Sequence, residues 1–444
     1  MRNQEKKKMK EKIKAIWKNR IVKNAGWLIG GKFVHKFLAF FIGIFMARFL
    51  GPANYGLINY AEGYTTFFAS ICTLGITSVI VKNFVDHPDE EGTTIGTTLI
   101  LRIITSILSV VAILGIVMVV DRGETLTITV VALCSLGLVF QVFDTFNYWF
   151  QVRLWSKYSA LATLISYLIV SAYKITLLIM QKDVRWFAVS TSIDYIAIAV
   201  FLMIAYKKKQ GPRLSFSVRK SKQLMQSSVS FILAGLMVSI YAYTDKFMLK
   251  QMMDETSVGH YSLAVSIATL WSFVISAIID SLNPSIMQAH NENREVYEKK
   301  NRQLYAIVFY TSLIMSLVIS LIAKPFVLIL YGEAYAPSSV ALRIVVWYTT
   351  FSYLGAARNT WIVCENKQKY LKYIYLGSAL INVILNYLFI PIWGVSGVAL
   401  ASVIAQFAGV TILPALISDL RPNTKLIIDA ILLKDVLLVR QRKE

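Results

Sequence analysis

The chain has 444 residues, of which 56% are hydrophobic and 16% are charged, and its formal net charge is +21. This composition excludes an ordinary soluble domain and indicates a protein that crosses a membrane several times. The charge does not indicate a nucleic-acid partner, because the cations lie mainly in the connections between apolar segments. Cys72, Cys134 and Cys364 stand singly in or beside apolar segments, so they predict neither disulfides nor a metal site.

Apolar windows of sufficient length predict an all-α membrane protein with twelve transmembrane helices. The basic N-terminus precedes an apolar stretch of about 25 residues that contains cations and lacks a small-residue cleavage motif. We therefore expect a retained span rather than a signal peptide. The predicted spans are residues 24–49, 57–81, 93–120, 126–148, 158–180, 186–206, 226–250, 258–285, 304–323, 338–363, 370–389 and 393–417.

The first span carries cations within an apolar helix. Lys32, His35 and Lys36 are spaced i, i+3, i+4, so they share one helical face. With a helix start near residue 24, Lys36 lies roughly 18 Å deep in a hydrocarbon core about 30 Å thick. A central lysine costs about 2.5–3.5 kcal/mol, so we expect Lys36 to face a watery cavity. For Lys32 and Arg48, snorkelling to the headgroups is an equal alternative.

Lysine and arginine in the connections predict the orientation. With the N-terminus inside, the inside segments hold 33 of these residues and the outside segments hold four. This asymmetry predicts a multi-pass protein of the cytoplasmic (inner) membrane with both termini in the cytoplasm. The predicted parts are a basic N-terminus (1–23), an N-terminal six-helix bundle (24–206), a cytoplasmic linker (207–225), a C-terminal six-helix bundle (226–417) and a cytoplasmic tail (418–444).

The two halves show weak internal similarity at an offset of 203 residues. At this offset Gly56 and Ala61 align with Gly259 and Ala264. In both halves these residues follow a long span and a short outside turn. In the first half, Gly51-Pro52 is predicted to stop the helix and form that turn. Together with the six-plus-six division of the spans, the match favours duplication, and repeated bundles are a transporter architecture.

The segment NAGWLIGGKFVHKFLAFFIGIFMARFLGPANYGLINYA resembles the opening signature of the oligosaccharide flippases, the polysaccharide-biosynthesis transporters. Tyr243–Lys246 with Val258–Tyr261 is similar to the family's seventh span and the turn after it. Asn283-Pro284 is similar to the end of its eighth span. The resemblance covers most of the chain, but only the opening signature is specific.

The resemblance implies two pseudo-symmetric six-helix bundles in a V, as in the multidrug extruders and the lipid II flippase of the same multidrug/oligosaccharidyl-lipid/polysaccharide exporter superfamily. It implies movement of an undecaprenyl-pyrophosphate-linked oligosaccharide from the inner to the outer leaflet by alternating access. Expected partners are that lipid-linked glycan, membrane lipids, and the glycosyltransferases or polymerase of the same pathway. Leu426–Val439 is short and interrupted by charges, which disfavours the lipid II sub-family with its two further C-terminal spans.

Nine cations remain within predicted spans, more than snorkelling at helix ends requires. Arginine and lysine are suited to holding a pyrophosphate, arginine as a planar fork and lysine as a point charge. For Lys174 and Lys250, pairing with buried acids or outer headgroups is the competing interpretation. The predicted substrate-binding residues are Lys32, His35, Lys36, Arg48, Arg102, Lys246, Arg343 and Arg358.

Five acidic residues also lie within spans: Glu62, Asp144, Asp194, Asp245 and Asp280. A carboxylate in a membrane cavity can exchange protons or hold a coupling ion. We expect no cofactor, but Asp245 and Glu62 are candidates for H⁺ or Na⁺ coupling. Asp245 is also adjacent to Lys246 and can instead neutralise it, and the sequence does not separate these roles.

Two alternatives remain. A multidrug or small-cation extruder of the same architecture should line its cavity with carboxylates, whereas this chain has nine cations against five acids in its spans. A membrane-embedded glycan polymerase or ligase usually presents a large outside loop, and the longest one here, Lys324–Pro337, has about 14 residues. We find no Walker loop, paired metal motif or nucleophile elbow, so no catalytic or metal-binding residues are assigned.

Overall fold

The structure, a computed structural model, describes residues 20–434, with the exception of the side chains of residues 20–33, 77–78, 230–231, 233–234, 238 and 241. In this part of the chain there are helices and turns and no β-strand. The α-helices are α1 (Arg20–Cys72), α2 (Thr77–Asp86), α3 (Glu91–Val120), α4 (Thr125–Ser135), α5 (Gly137–Gln141), α6 (Thr145–Val152), α7 (Ser156–Ile179), α8 (Val184–Lys208), α9 (Val218–Met252), α10 (Glu255–Ala268), α11 (Ser272–Glu292), α12 (Arg294–Tyr331), α13 (Ala336–Cys364), α14 (Leu371–Trp393), α15 (Val395–Phe407), α16 (Leu413–Leu416) and α17 (Arg421–Ile431).

The helices are long and apolar because a chain in hydrocarbon must satisfy its backbone hydrogen bonds internally. Within the described residues, nine helices are long and apolar enough to cross a membrane, or ten if the bent pair α10 and α11 forms one span. These helices confirm the prediction of an all-α membrane protein. The count of twelve spans stays a prediction.

Helix α1 covers the first predicted span and most of the second. Gly51 interrupts it with φ 69° and ψ 171°, and Pro52 follows at once in helical conformation. Glycine reaches this positive φ without the steric cost that a Cβ atom would bring. The helix stop predicted at Gly51-Pro52 therefore coincides with a break in α1, and a single residue makes the turn there.

The chain forms two compact units. Of the described residues, unit 1 holds 20–49 and 61–236, and unit 2 holds 50–60 and 237–434. The core of unit 1 contains Phe84, Phe150 and Leu202, and that of unit 2 contains Tyr305 and Trp361, all nearly inaccessible to solvent. The segment 50–60 of α1 thus packs with unit 2, although the rest of the helix belongs to unit 1.

Within unit 2, the two glycines that align in the internal repeat touch each other. A Cβ atom on Gly56 would lie 1.8 Å from the carbonyl oxygen of Glu255, and one on Gly259 would lie 2.0 Å from that of Pro52. The offset of 203 residues that relates the glycines also relates Pro52 and Glu255. Each glycine therefore packs on the residue four positions before the other, which is the reciprocal pattern expected at a two-fold axis.

Candidate functional site

A buried carboxylate in unit 2 collects neutral polar groups from three other helices. Asp245 on α9 is 6% exposed. It accepts hydrogen bonds from Ser402 Oγ at 2.6 Å, from Asn386 Nδ2 at 2.7 Å and from the Tyr261 hydroxyl. Asn386 also donates to Asn382 Oδ1 at 3.2 Å, and its own Oδ1 is buried without a hydrogen-bond partner. We call these five residues the Asp245 cluster.

Asp245 and the neighbouring Lys246 have different hydrogen-bond partners. The three donors to Asp245 are neutral, and Lys246 donates from Nζ to Asn59 Oδ1 at 3.2 Å. The Lys246 ammonium also lies 5.8 Å from the centroid of the Tyr243 ring. The two roles of Asp245, neutralising Lys246 and coupling an ion, both stay predictions.

A second group of ionisable side chains lies in unit 1, on α1, α7 and α8. The ring of His35 packs edge-on against Tyr167, with centroids 4.3 Å apart. His35 is within electrostatic range of Lys36, Lys174 and Asp194. Asp194 Oδ1 accepts a hydrogen bond of 2.6 Å from a serine of α7, Ser166. We call His35, Lys36, Lys174 and Asp194 the His35 cluster.

The His35 cluster combines two ammonium groups, an imidazole and a carboxylate. Lys36 is exposed, while His35, Lys174 and Asp194 are half-buried, so Lys36 is the most accessible member of the group. Glu62 is also half-buried, and Glu62 and Lys174 both lie within electrostatic range of Cys134. Cationic and acidic groups therefore share one region of unit 1.

Arg102 is placed differently from the other predicted site residues of unit 1. It is 1% exposed and donates to the carbonyl oxygens of Cys72 (3.2 Å), Val142 (3.3 Å) and Gln141 (3.3 Å). It also donates to Thr145 Oγ1 at 2.9 Å. Four acceptors thus engage a guanidinium that has five donors. These contacts describe a structural arginine in this conformation, and a substrate could reach it only after these helices separate.

The remaining predicted residues do not gather at one place within either unit. In unit 2, Arg358 is 3% exposed and donates to Gly409 O at 3.1 Å, while its Nε is buried without a hydrogen-bond partner. Arg343 in unit 2 and Arg48 in unit 1 are exposed. The side chain of Lys32 lies outside the described residues.

Sequence reasoning missed the hydrogen-bond partners of Asp245, and it did not predict a site role for Asp194. Tyr261, Asn382, Asn386 and Ser402 were not singled out, and Asp194 was noted only as an acidic residue within a span. One signal was available, because Asn382 and Asn386 stand four residues apart in an apolar helix and so share a face. Buried amides in a span need hydrogen-bond partners, which predicts a polar contact on that face.

Comparison with known proteins assigns the chain to a family. The family model described as "Polysaccharide biosynthesis protein" matches residues 21–290, which is more than half of the chain. A second model, MatE, matches residues 231–388. The capsular polysaccharide biosynthesis protein CapF of Staphylococcus aureus is 22% identical over 399 residues, or 87% of this chain and 96% of CapF.

Two solved structures show the same fold. The lipid II flippase MurJ in an inward closed conformation superposes with a TM-score of 0.73 at 14% identity, over 93% of this chain and 92% of MurJ. An inward-facing multidrug resistance MATE family transporter of the MOP superfamily superposes with a TM-score of 0.69 at 17% identity, over 87% of this chain and 96% of that protein. The fold is thus that of all-α membrane transporters, and the chain belongs to the polysaccharide biosynthesis protein family.

Proposed function

We propose that the chain is a flippase that moves an undecaprenyl-pyrophosphate-linked oligosaccharide from the inner to the outer leaflet by alternating access. The observation that carries the proposal is the His35 cluster, which places histidine and two lysines together within spans of a polysaccharide biosynthesis protein. CapF, a related protein, is named for capsular polysaccharide biosynthesis, and MurJ, with the same fold, is a lipid II flippase.

The charge of the cluster suits the anionic headgroup of such a lipid. Transfer of a pyrophosphate through a membrane protein without partners would be very costly. Lys36 and Lys174 supply ammonium groups that act as point charges toward phosphate oxygens. His35 adds a third cation when it is protonated. Asp194 and Glu62 offset the two ammonium charges, so the region has a net positive charge only when His35 is protonated.

The Asp245 cluster is the proposed coupling site. It offers a carboxylate together with hydroxyl and amide oxygens in a buried position, which suits either a proton or Na⁺. The unsatisfied Oδ1 of Asn386 gives one further acceptor for a cation. Occupancy of this site would stabilise one conformation of unit 2, and so connect ion binding to the direction of transport.

We also propose that the protein lies in the cytoplasmic membrane with both termini inside and works beside the glycosyltransferases or polymerase of its pathway. The 33 to four distribution of extramembrane cations supports this orientation. Reporter fusions at Gln210 and Asp254 test it, because the first should report the cytoplasm and the second the exterior. The reverse result would overturn the orientation.

A vesicle assay separates this function from drug extrusion. Purified protein is reconstituted with an undecaprenyl-pyrophosphate oligosaccharide that carries a dithionite-quenchable fluorophore. We expect dithionite to quench the pool of both leaflets with the wild-type protein and only the outer pool in protein-free vesicles. Uptake of ethidium without movement of the glycan lipid would instead identify a cation extruder.

A further inference from the structure

The segment 211–218, which covers most of the connection between α8 and α9 and the first residue of α9, is fixed to the surface of unit 1. We call it the strap. Ser215 N donates to Gly92 O at 3.4 Å, and the Ser215 hydroxyl lies 2.8 Å from Thr93 Oγ1. Ser217 N donates to Thr97 Oγ1 at 3.1 Å. These bonds attach the strap along the first turns of α3.

Two glycines make room for this attachment. A Cβ atom on Gly92 would lie 2.2 Å from the carbonyl oxygen of Arg213, and one on Gly96 would lie 2.4 Å from that of Ser215. Lys220, just after the strap, pairs with Glu90 at 2.6 Å. The backbone of the strap therefore lies directly on that of α3, and a larger side chain at either glycine would lift it.

The outer side of the strap is apolar and surrounded by cations. Leu214, Phe216 and Val218 are 47%, 49% and 73% exposed, although they stand within five residues of one another outside the apolar spans. Such a patch on a connecting segment marks an interaction surface. The exposed cations of the same connection and its flanks are Lys207, Lys208, Arg213, Arg219 and Lys222.

Aromatic residues attach the strap to the core of unit 1. Tyr206 donates from its hydroxyl to Pro212 O, and its ring lies 5.1 Å from that of Trp149. Both rings are buried. The ammonium of Lys209 lies 5.0 Å from the centroid of the half-buried Trp155 ring. A tryptophan beside a cation is typical of the headgroup level of a bilayer.

We propose that the strap is a membrane-surface anchor that binds anionic lipid headgroups of the leaflet beside it, the cytoplasmic leaflet in the predicted orientation. Leu214, Phe216 and Val218 enter the boundary between headgroups and acyl chains. The surrounding lysines and arginines meet the lipid phosphates, and each such cation near an anionic surface adds about 1 kcal/mol of attraction. This inference is independent of the transported substrate.

Spin labelling of the full chain in vesicles tests the anchor. The label is placed at Phe216→Cys in a Cys364→Ser background, since Cys72 and Cys134 are buried. A label at Arg122→Cys, in an exposed turn, gives the aqueous reference. In phosphatidylcholine vesicles that contain phosphatidylglycerol, we expect the label at 216 to be several-fold less accessible to a water-soluble nickel complex than the reference. Accessibility to oxygen should rise.

Charge variants distinguish anionic lipid from simple hydrophobic insertion. Arg213→Gln with Arg219→Gln should restore access of the nickel complex, while Lys182→Gln with Arg185→Gln, at the other end of α8, should not. Equal accessibility of the two labels in the phosphatidylglycerol vesicles would overturn the anchor. Equal protection of the label at 216 in pure phosphatidylcholine would overturn the assignment to anionic lipid. A second label at Val218→Cys must agree with the first.

Discussion

At the scale of single residues, the two buried charges Asp245 and Arg102 illustrate different uses of a polar group inside a membrane protein. Arg102 donates to four acceptors of unit 1, so most of its five donors are used within the protein. The Asp245 cluster keeps an acceptor oxygen without a donor at Asn386. The first arrangement stabilises packing, and the second leaves a place for a cation.

We expect Asp245→Asn to abolish the ion dependence of glycan-lipid movement, because an amide neither binds a proton at neutral pH nor offers a full negative charge to Na⁺. The measurement is the rate of flipping in vesicles with and without an ion gradient. Ser316→Ala is the matched control, since it removes a buried hydrogen bond of unit 2, to Val346 O, that lies outside the Asp245 cluster and should cost about 0.5–1.5 kcal/mol of stability. It should keep the ion dependence. Unchanged ion dependence in Asp245→Asn would exclude Asp245 as the coupling residue.

Arg102→Gln should destabilise the protein, because buried carbonyl oxygens lose their hydrogen-bond donors. Each such oxygen costs about 1–3 kcal/mol of stability. Thermal unfolding in detergent is followed with a thiol-reactive dye that reports exposure of the buried Cys72 and Cys134. Arg48→Gln is the control, because Arg48 is exposed and should leave the unfolding temperature unchanged. Equal unfolding temperatures for both variants would show that the contacts of Arg102 contribute little.

At the scale of elements, the sequence was informative about helices and poor about what joins them. Apolar length predicts spans because hydrocarbon admits only helices with satisfied backbones. The Gly51-Pro52 pair predicted the helix break at Gly51, but it did not indicate that a single residue makes the turn. The Asp245 cluster could not be predicted either, since its partners lie 16 to 157 residues away along the chain.

Gly56→Ala should destabilise unit 2, because its Cβ atom would lie 1.8 Å from the carbonyl oxygen of Glu255. Forced repacking of this kind costs about 1–3 kcal/mol. Gly43→Ala, also in α1, meets nothing within 4 Å and should be neutral or stabilising, because alanine exceeds glycine in helix propensity by about 1 kcal/mol. The measurement is the unfolding temperature of both variants. An unchanged unfolding temperature for Gly56→Ala would contradict the close contact.

At the scale of the whole molecule, three features agree with the proposed flippase. They are the predicted internal repeat, the all-α transporter fold and the cations within spans. The repeat was visible in the sequence as two matched small residues, and in unit 2 those glycines make a reciprocal contact. The excess of cations over acids in the spans favours an anionic cargo over the cationic cargo of a drug extruder. The substrate itself is the central claim, and Lys36 is the residue on which it depends most.

The measurement that tests this claim most directly is surface glycan in a null strain complemented with Lys36→Ala, normalised to the amount of protein in the membrane. Removing Lys36 takes a cation from the proposed pyrophosphate site and relieves an insertion cost of about 2.5–3.5 kcal/mol. We therefore expect equal or higher abundance with failed export, and partial export with Lys36→Arg, which keeps the charge in another geometry. Normal export by Lys36→Ala at equal abundance would contradict the cationic mechanism.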